Sequence, residues 1–308
     1  MRFLIVGAGS TGGYFGGRLA QAGRDVTFLV RAARADRLRK TGLEIVSQHG
    51  DLRLQPKLVT AGHLEGSFDA VILAVKAYAL DAAMDDLAPA MGPETMILPV
   101  LNGMKHVDTL IGRFGSKALI GCACKIVATV DGDGRIVQMG PVQDIAYGEM
   151  DGSVSPRVTR LDQQMRGAGF NARLSRTIVR DMWEKWLLLA TIGAVNCLMR
   201  GSVGEVQAAV GGDALMARLL DEVTAAVRSV GVAPSDAFLV DAKTIMSQPG
   251  STMTTSMYRD LTKGAPIEAE QILGDLVERA QRAGIDTPLL AAAFANLCVY
   301  QNRQAPKT

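Results

Sequence analysis

The stretch FLIVGAGSTGG, close to the first residue, leaves few folds open to this chain. FLIV is a short apolar run, and it passes without a linker into Gly7-Ala8-Gly9-Ser10-Thr11-Gly12, the pattern G-x-G-x-x-G. Tyr14, Phe15, Leu19 and Ala20 follow at helical spacing, and Gly23 closes the run. Strand, glycine turn and helix in that order read as the first half of a βαβ unit. Gly7 allows the tight turn, Gly9 lets a pyrophosphate approach the backbone, and Gly12 lets helix and strand pack closely. The helix N-terminus, with Ser10 and Thr11 in its first turn, offers N–H groups to the phosphates. A glycine turn with no ligand is the plainer alternative, and the strand–turn–helix context weighs against it.

The rest of the first half repeats the alternation. Strands are predicted over residues 25–31, 43–46, 52–59, 70–75, 96–101, 118–130, 135–139 and 144–147, with helical stretches after 31 and over 79–90. AVILAV (70–75) is apolar throughout, as a buried parallel strand should be. Pro99 is awkward for a central strand and implies a local bulge. From about Ser175 the pattern turns helical: 176–200, 212–231, 234–247, 266–284 and 289–302. The predicted fold class is α/β, an N-terminal Rossmann-type doubly wound sheet (1–174) plus a C-terminal all-helical domain (175–308).

The end of the second strand selects the dinucleotide. An acid there would bond the ribose 2′-OH of NAD. This chain has Arg31, followed by Arg34, while Asp25 stands at the wrong end of the strand. A guanidinium suits a 2′-phosphate, so the expected cofactor is NADP. An ordinary solvated charge is the alternative for Arg31. Ligands in open α/β sheets bind outside the carboxyl ends of strands. Lys76 follows AVILAV and Asn102-Gly103 follows MILPVL, so both are candidates for that crevice. Each could also be a plain solvated turn. His106 is expected on the surface of the next helix.

Composition excludes several other functions. The net charge of +2 gives no electrostatic reason to expect nucleic acid or an acidic membrane, and 5% aromatic residues leave little for base stacking. The four cysteines form no C-x-x-C and no Cys/His cluster, so neither a metal nor a disulfide framework is expected. No signal peptide is expected before the first strand, and a cytoplasmic location fits best. Trp186 to Met199 is apolar but short of the roughly 20 residues of a membrane span, so a buried helix is expected. Lys185 stands at its mouth. Surface pairing with Glu184 or Asp181, and a role in catalysis, are both open on this evidence.

The motifs add up in order: G-x-G-x-x-G, Arg31, V-K-A at 75–77, L-N-G-M at 101–104, W-E-K at 183–185, S-M-Y-R-D at 256–260, and Glu268. In this order and spacing the chain resembles the ketopantoate reductase (2-dehydropantoate 2-reductase) family over nearly its whole length. The resemblance implies reduction of 2-dehydropantoate to pantoate with NADPH, in the route to pantothenate. It implies Lys185 as the general acid and Glu268 as the carboxylate that binds the substrate hydroxyl. It implies Ser256 on the substrate carboxylate, with Lys76 and Asn102 beside nicotinamide and substrate. Hydride addition to a ketone builds charge on oxygen, which a nearby cation stabilises and protonates. Apolar surroundings ease proton release from a lysine, and a neighbouring carboxylate such as Glu268 opposes this.

The chain departs from the family one and two turns after the lysine. Relatives carry asparagines there, and this chain has Leu189 and Gly193 on the same helix face. The expected wall is drier and roomier, with Asn196 as a possible substitute for the amides. A more apolar 2-oxo acid or ketone is therefore a second reading, and a non-catalytic NADP-binding sensor a third. Apolar surface in the last helices makes a homodimer plausible.

Overall fold

The computed structural model describes residues 1–304. The chain divides into two compact units, one of Met1–Leu101 with His106–Val179, the other of Asn102–Lys105 with the residues from Arg180 onward. The main division thus falls at Val179/Arg180 rather than at 174. A four-residue piece of the early chain belongs with the late one.

The first unit runs β1 (Arg2–Val6), α1 (Ser10–Gln21), β2 (Asp25–Leu29), α2 (Ala32–Thr41), β3 (Leu43–Val46), β4 (Leu52–Leu54), β5 (Lys57–Val59), β6 (Ala70–Leu73), α3 (Leu80–Leu87), β7 (Met96–Pro99), α4 (Lys105–Phe114), β8 (Ile120–Val130), β9 (Ile136–Glu149), α5 (Pro156–Met165) and β10 (Asn171–Leu174). One sheet is parallel throughout in the order β5-β2-β1-β6-β7, the Rossmann-type arrangement. The other is mixed, β10-β9-β3-β4 with β8 antiparallel to β9.

Several details correct the sequence reading. Residues 52–59 are not one strand: Gln55-Pro56 breaks them into β4 and β5, which join different sheets. Residues 136–149 are one strand, which passes Gly140-Pro141 through an irregularity where pairing jumps from Gln138↔Ala128 to Gln143↔Ile126. Pro99 needs no bulge. β7 is the outer strand of its sheet, and Val100 N donates to Leu73 O, so alternation turns the Pro99 nitrogen away from β6. His106 is buried rather than exposed, because it shares the inward face of α4 with Val107 and Leu110.

Helix α1 packs on both sheets, and its glycines make this possible. A Cβ on Gly16 would lie 2.7 Å from Ile5 and Phe28 of the parallel sheet. One on Gly17 would lie 2.8 Å from Ile45 of the mixed sheet, and one on Gly13 would overlap Ile136. Phe3, Ile5, Tyr14, Phe15, Phe28 and Tyr147 fill the shared core.

The second unit has no strand among the described residues. It consists of α6 (Ile178–Met199), α7 (Val203–Ala208), α8 (Gly212–Val230), α9 (Asp236–Met246), α10 (Ser256–Thr262), a π turn at Glu270–Gly274, α11 (Asp275–Arg282) and α12 (Pro288–Gln304). Carboxylates from neighbouring helices cap two N-termini. Glu222 accepts from Leu289 N at 3.1 Å and from Leu290 N at 2.7 Å. Glu184 accepts from Ser235 N and Oγ at 2.8 Å each. No described helix is long and apolar enough to cross a membrane.

Candidate active site

In the first unit the glycine turn is held from two sides. Gly7 N donates to Leu29 O at 3.0 Å, and a Cβ on Gly7 would stand 2.8 Å from Ala74 O. Its φ of +97° is a conformation that suits glycine. Gly12 is buried so closely that a Cβ would overlap the Gly7 carbonyl and stand 2.7 Å from Ala74 Cβ. Gly9 is the opposite case: it is exposed, and a Cβ there would meet nothing within 4 Å. It is the N-cap of α1, where no side chain caps the helix and no acid sits in the first turn. With Ser10 and Thr11 half-exposed beside it, this is an uncapped positive helix end open to an anion.

Arg31 lies exposed just past β2, at the N-cap of α2. Arg34, one turn on, reaches back to the glycine turn. Its Nε donates to Ala8 O at 3.3 Å, and its two Nη atoms donate to Gly134 O at 3.2 Å. Arg37 donates to Gly132 O at 2.8 Å. Burial, and then the charge of Arg37, push the Arg34 guanidinium below its ordinary pKa. Among the described residues no carboxylate pairs with these three arginines, so positive charge accumulates beside the turn. Asp25, at the far end of β2, is bonded to Lys57 at 2.7 Å. The donors present fit a nicotinamide dinucleotide. Lys76 lies three residues past the end of β6, which stops at Leu73, and is the half-buried N-cap of a 3₁₀ turn over Ala77–Ala79.

The second unit brings together the segments that carry Asn102, Lys185 and Glu268. Lys185 is half-buried on α6. The carboxylate of Glu184 is directed to Ser235. Trp183 and Trp186 flank Lys185, with ring centroids 5.1 Å apart, and both are buried. Glu268 is 8% exposed and immediately precedes the helix that carries the π turn. Gly103 packs directly under the carbonyl of Gln271 in that turn. Lys105 Nζ and Glu270 Oε1 lie 3.1 Å apart. Ser256 opens α10, held by a neighbour: Thr255 N donates to Asn196 Oδ1 at 2.9 Å.

Two expectations about the α6 wall change. Gly193 is not open space, because Met257 Cε would stand 3.1 Å from a Cβ there. Asn196 cannot replace the missing amides. It is fully buried, and its Nδ2 donates to Gly201 O at 2.9 Å while its Oδ1 holds Thr255 N. Leu189 remains, half-buried, as the change of character on that face.

The family described as "Ketopantoate reductase PanE/ApbA" matches residues 3–152, and its C-terminal counterpart matches residues 177–301. The chain belongs to the ketopantoate reductase family. Its similarity to an uncharacterized oxidoreductase of Bacillus subtilis, YkpB, is 35% identity over 98% of this chain and 99% of that one. A crystal structure of 2-dehydropantoate 2-reductase from Geobacter metallireducens superposes with a TM-score of 0.88 at 25% identity, covering 97% of this chain and 99% of that one. A D-mandelate dehydrogenase with NADH and anilino(oxo)acetate shares the fold, with a TM-score of 0.88 at 19% identity over 99% of both chains. As a ketopantoate reductase family member, the protein is an oxidoreductase acting on CH–OH groups, with a nicotinamide dinucleotide as its redox partner.

Two residues have contacts that the sequence alone does not give. Arg34 was visible as a charge, but its reach to Ala8 depends on the turn of α2. Trp186 reads as one more apolar residue of a buried helix, and nothing local marks its indole N–H.

Proposed function

We propose that the protein reduces 2-dehydropantoate to pantoate with NADPH, in the route to pantothenate. The observation that carries this reading is the gathering of the Asn102, Lys185 and Glu268 segments within one unit, in a chain whose other unit offers an uncapped helix end beside arginines that no carboxylate among the described residues pairs. Gly7, Gly9, Ser10, Thr11 and Gly12 would hold the pyrophosphate, Arg31 the 2′-phosphate, and Lys76 and Asn102 the nicotinamide end. The dinucleotide supplies the hydride. Lys185 Nζ hydrogen-bonds the ketone oxygen, stabilises the charge that develops there and gives it a proton, leaving a neutral amine that solvent reprotonates. Ser256 donates to the substrate carboxylate, Glu268 accepts from the substrate hydroxyl, and Asn102 orients the carbonyl. The preference for NADPH rests on Arg31, since the same fold serves a dehydrogenase bound to NADH.

A second reading keeps the chemistry and changes the substrate to a more apolar 2-oxo acid. It is favoured by Leu189 and by the commitment of Asn196 to Gly201 and Thr255. Steady-state oxidation of NADPH and NADH against 2-dehydropantoate and a panel of apolar 2-oxo acids separates the two. Lys185→Ala should lower kcat about 10²- to 10⁴-fold, the range of general acid catalysis. An unchanged rate would remove Lys185 from the mechanism, and tight NADPH binding with no turnover on any 2-oxo acid would leave a sensor.

A further inference from the structure

We infer that Trp186 is a positioning residue, whose indole N–H sets the geometry of Lys185 relative to Glu268 by tying α6 to the π turn. The inference rests on the roles proposed above for those two residues.

Trp186 directly follows Lys185 and is 1% exposed. Its Nε1 donates to Ile272 O at 2.9 Å, in the middle of the π turn. Ile272 N in turn donates to the carbonyl of Glu268 at 3.1 Å. Ile272 thus joins the residue after Lys185, through its carbonyl, to the backbone of Glu268, through its N–H. A π turn is a rare, locally less regular backbone often found at functional sites, and an outside donor to one of its carbonyls fixes its register.

A third segment meets the same point. A Cβ on Gly103 would overlap Gln271 O, one residue before Ile272, and would stand 3.8 Å from Trp186 Nε1. The φ of +78° at Gly103 also favours glycine. Asn102, Lys185 and Glu268 are thus each within a few residues of one knot made by an indole N–H, a glycine and two carbonyls. The face of the indole is covered as well: the guanidinium of Arg279 lies 6.0 Å from a Trp186 ring centroid, and Arg279 is bonded to Asp275 at 3.0 Å.

Trp186→Phe keeps most of the ring and removes the donor. Because misplacement of reacting groups by about 1 Å costs up to a hundredfold, kcat should fall roughly ten- to a hundredfold, with the Kd for NADPH held within about twofold. The basic limb of the kcat–pH profile should also move, because the surroundings of the proton donor change. A kcat within about twofold of the wild type, or a lower kcat with an unmoved pH profile, overturns the inference. Should Trp186→Phe fail to fold, Gly103→Ala presses on Gln271 O from the other side of the knot. The same loss of kcat with unchanged NADPH affinity is then expected, and an unaffected kcat overturns the inference. If the wild-type enzyme oxidises NADPH with no 2-oxo acid, the reductase reading falls first, and this inference with it.

Discussion

Gly9 and Gly12 are three residues apart in one motif, yet the structure gives them opposite surroundings, and alanine at each should separate binding from stability. At Gly9 a methyl group meets nothing within 4 Å, and the backbone at φ −83° is one that alanine adopts readily. Gly9→Ala should therefore leave the melting temperature unchanged or raise it slightly, by about 0.4–1 kcal/mol of stability from a stiffer unfolded chain. On the proposed reading, the same methyl stands where the pyrophosphate approaches the backbone. Losing about two charge-assisted hydrogen bonds at about 1.5 kcal/mol each weakens NADPH binding roughly a hundredfold. At Gly12 a methyl overlaps the Gly7 carbonyl and lies 2.7 Å from Ala74 Cβ, where ordinary contact begins at 3.4 Å. One obstacle is backbone and cannot swing aside, so the cost should reach the upper end of overpacking, about 3 kcal/mol. For a domain of this size that lowers the melting temperature by about 6–12 °C. Thermal melts and fluorescence titration of NADPH on both variants test the pair. Gly9→Ala with undiminished NADPH affinity, or Gly12→Ala with an unchanged melting temperature, would refute the reasoning.

Arg31→Ala should weaken NADPH binding about ten- to a hundredfold, the worth of one or two hydrogen bonds to a charged phosphate, and leave NADH affinity unchanged; titration with both dinucleotides checks it. For Glu149, burial pushes the carboxyl pKa up, but hydrogen bonds from Arg157 and Ser155 outweigh burial and leave it below the usual carboxylate range. Arg157 Nη2 lies 2.5 Å from Glu149 Oε2. Since the folded pKa is depressed, the stabilisation is present above the unfolded value of about 4.3 and is lost as pH falls through the folded value. Glu149→Gln should flatten the acid limb of a melting-temperature profile, and an acid limb as steep as the wild type's would exclude this pair as its source. Asn196→Ala strands Gly201 O and Thr255 N in a buried position, at a cost of about 2–4 kcal/mol, to be read from urea unfolding.

The first βαβ unit was legible because its signals are local: an apolar run, glycines at fixed offsets and a 3.6-residue repeat. Lys76 and Asn102 were legible as polar residues after apolar runs, although both strands end sooner than the runs do. Misreadings came where pairing overrides local pattern. Gln55-Pro56 lies inside an apparently continuous strand, but the flanking pieces pair with different partners. Gly140-Pro141 looks like a terminus, and pairing with β8 carries the strand past it. The π turn within 266–284 leaves no compositional trace, and the contacts it receives come from Gly103 and Trp186, far away in sequence. Asn196 could be seen as an amide on a helix, but its two partners could not be read from spacing.

The inclusion of Asn102–Lys105 in the late unit bears on how the protein can be cut. The chain passes from one unit to the other three times, at 101/102, 105/106 and 179/180. A fragment beginning at Arg180 would lack Gly103, exposing Gln271 O and the edge of the Trp186 indole. A fragment ending at Val179 would carry that four-residue loop with nothing of its own unit to receive it. The helical half is thus not a separable module: it is completed by a loop synthesised well before Arg180, and that loop waits for its partner Gln271 until α6 to α10 have been made.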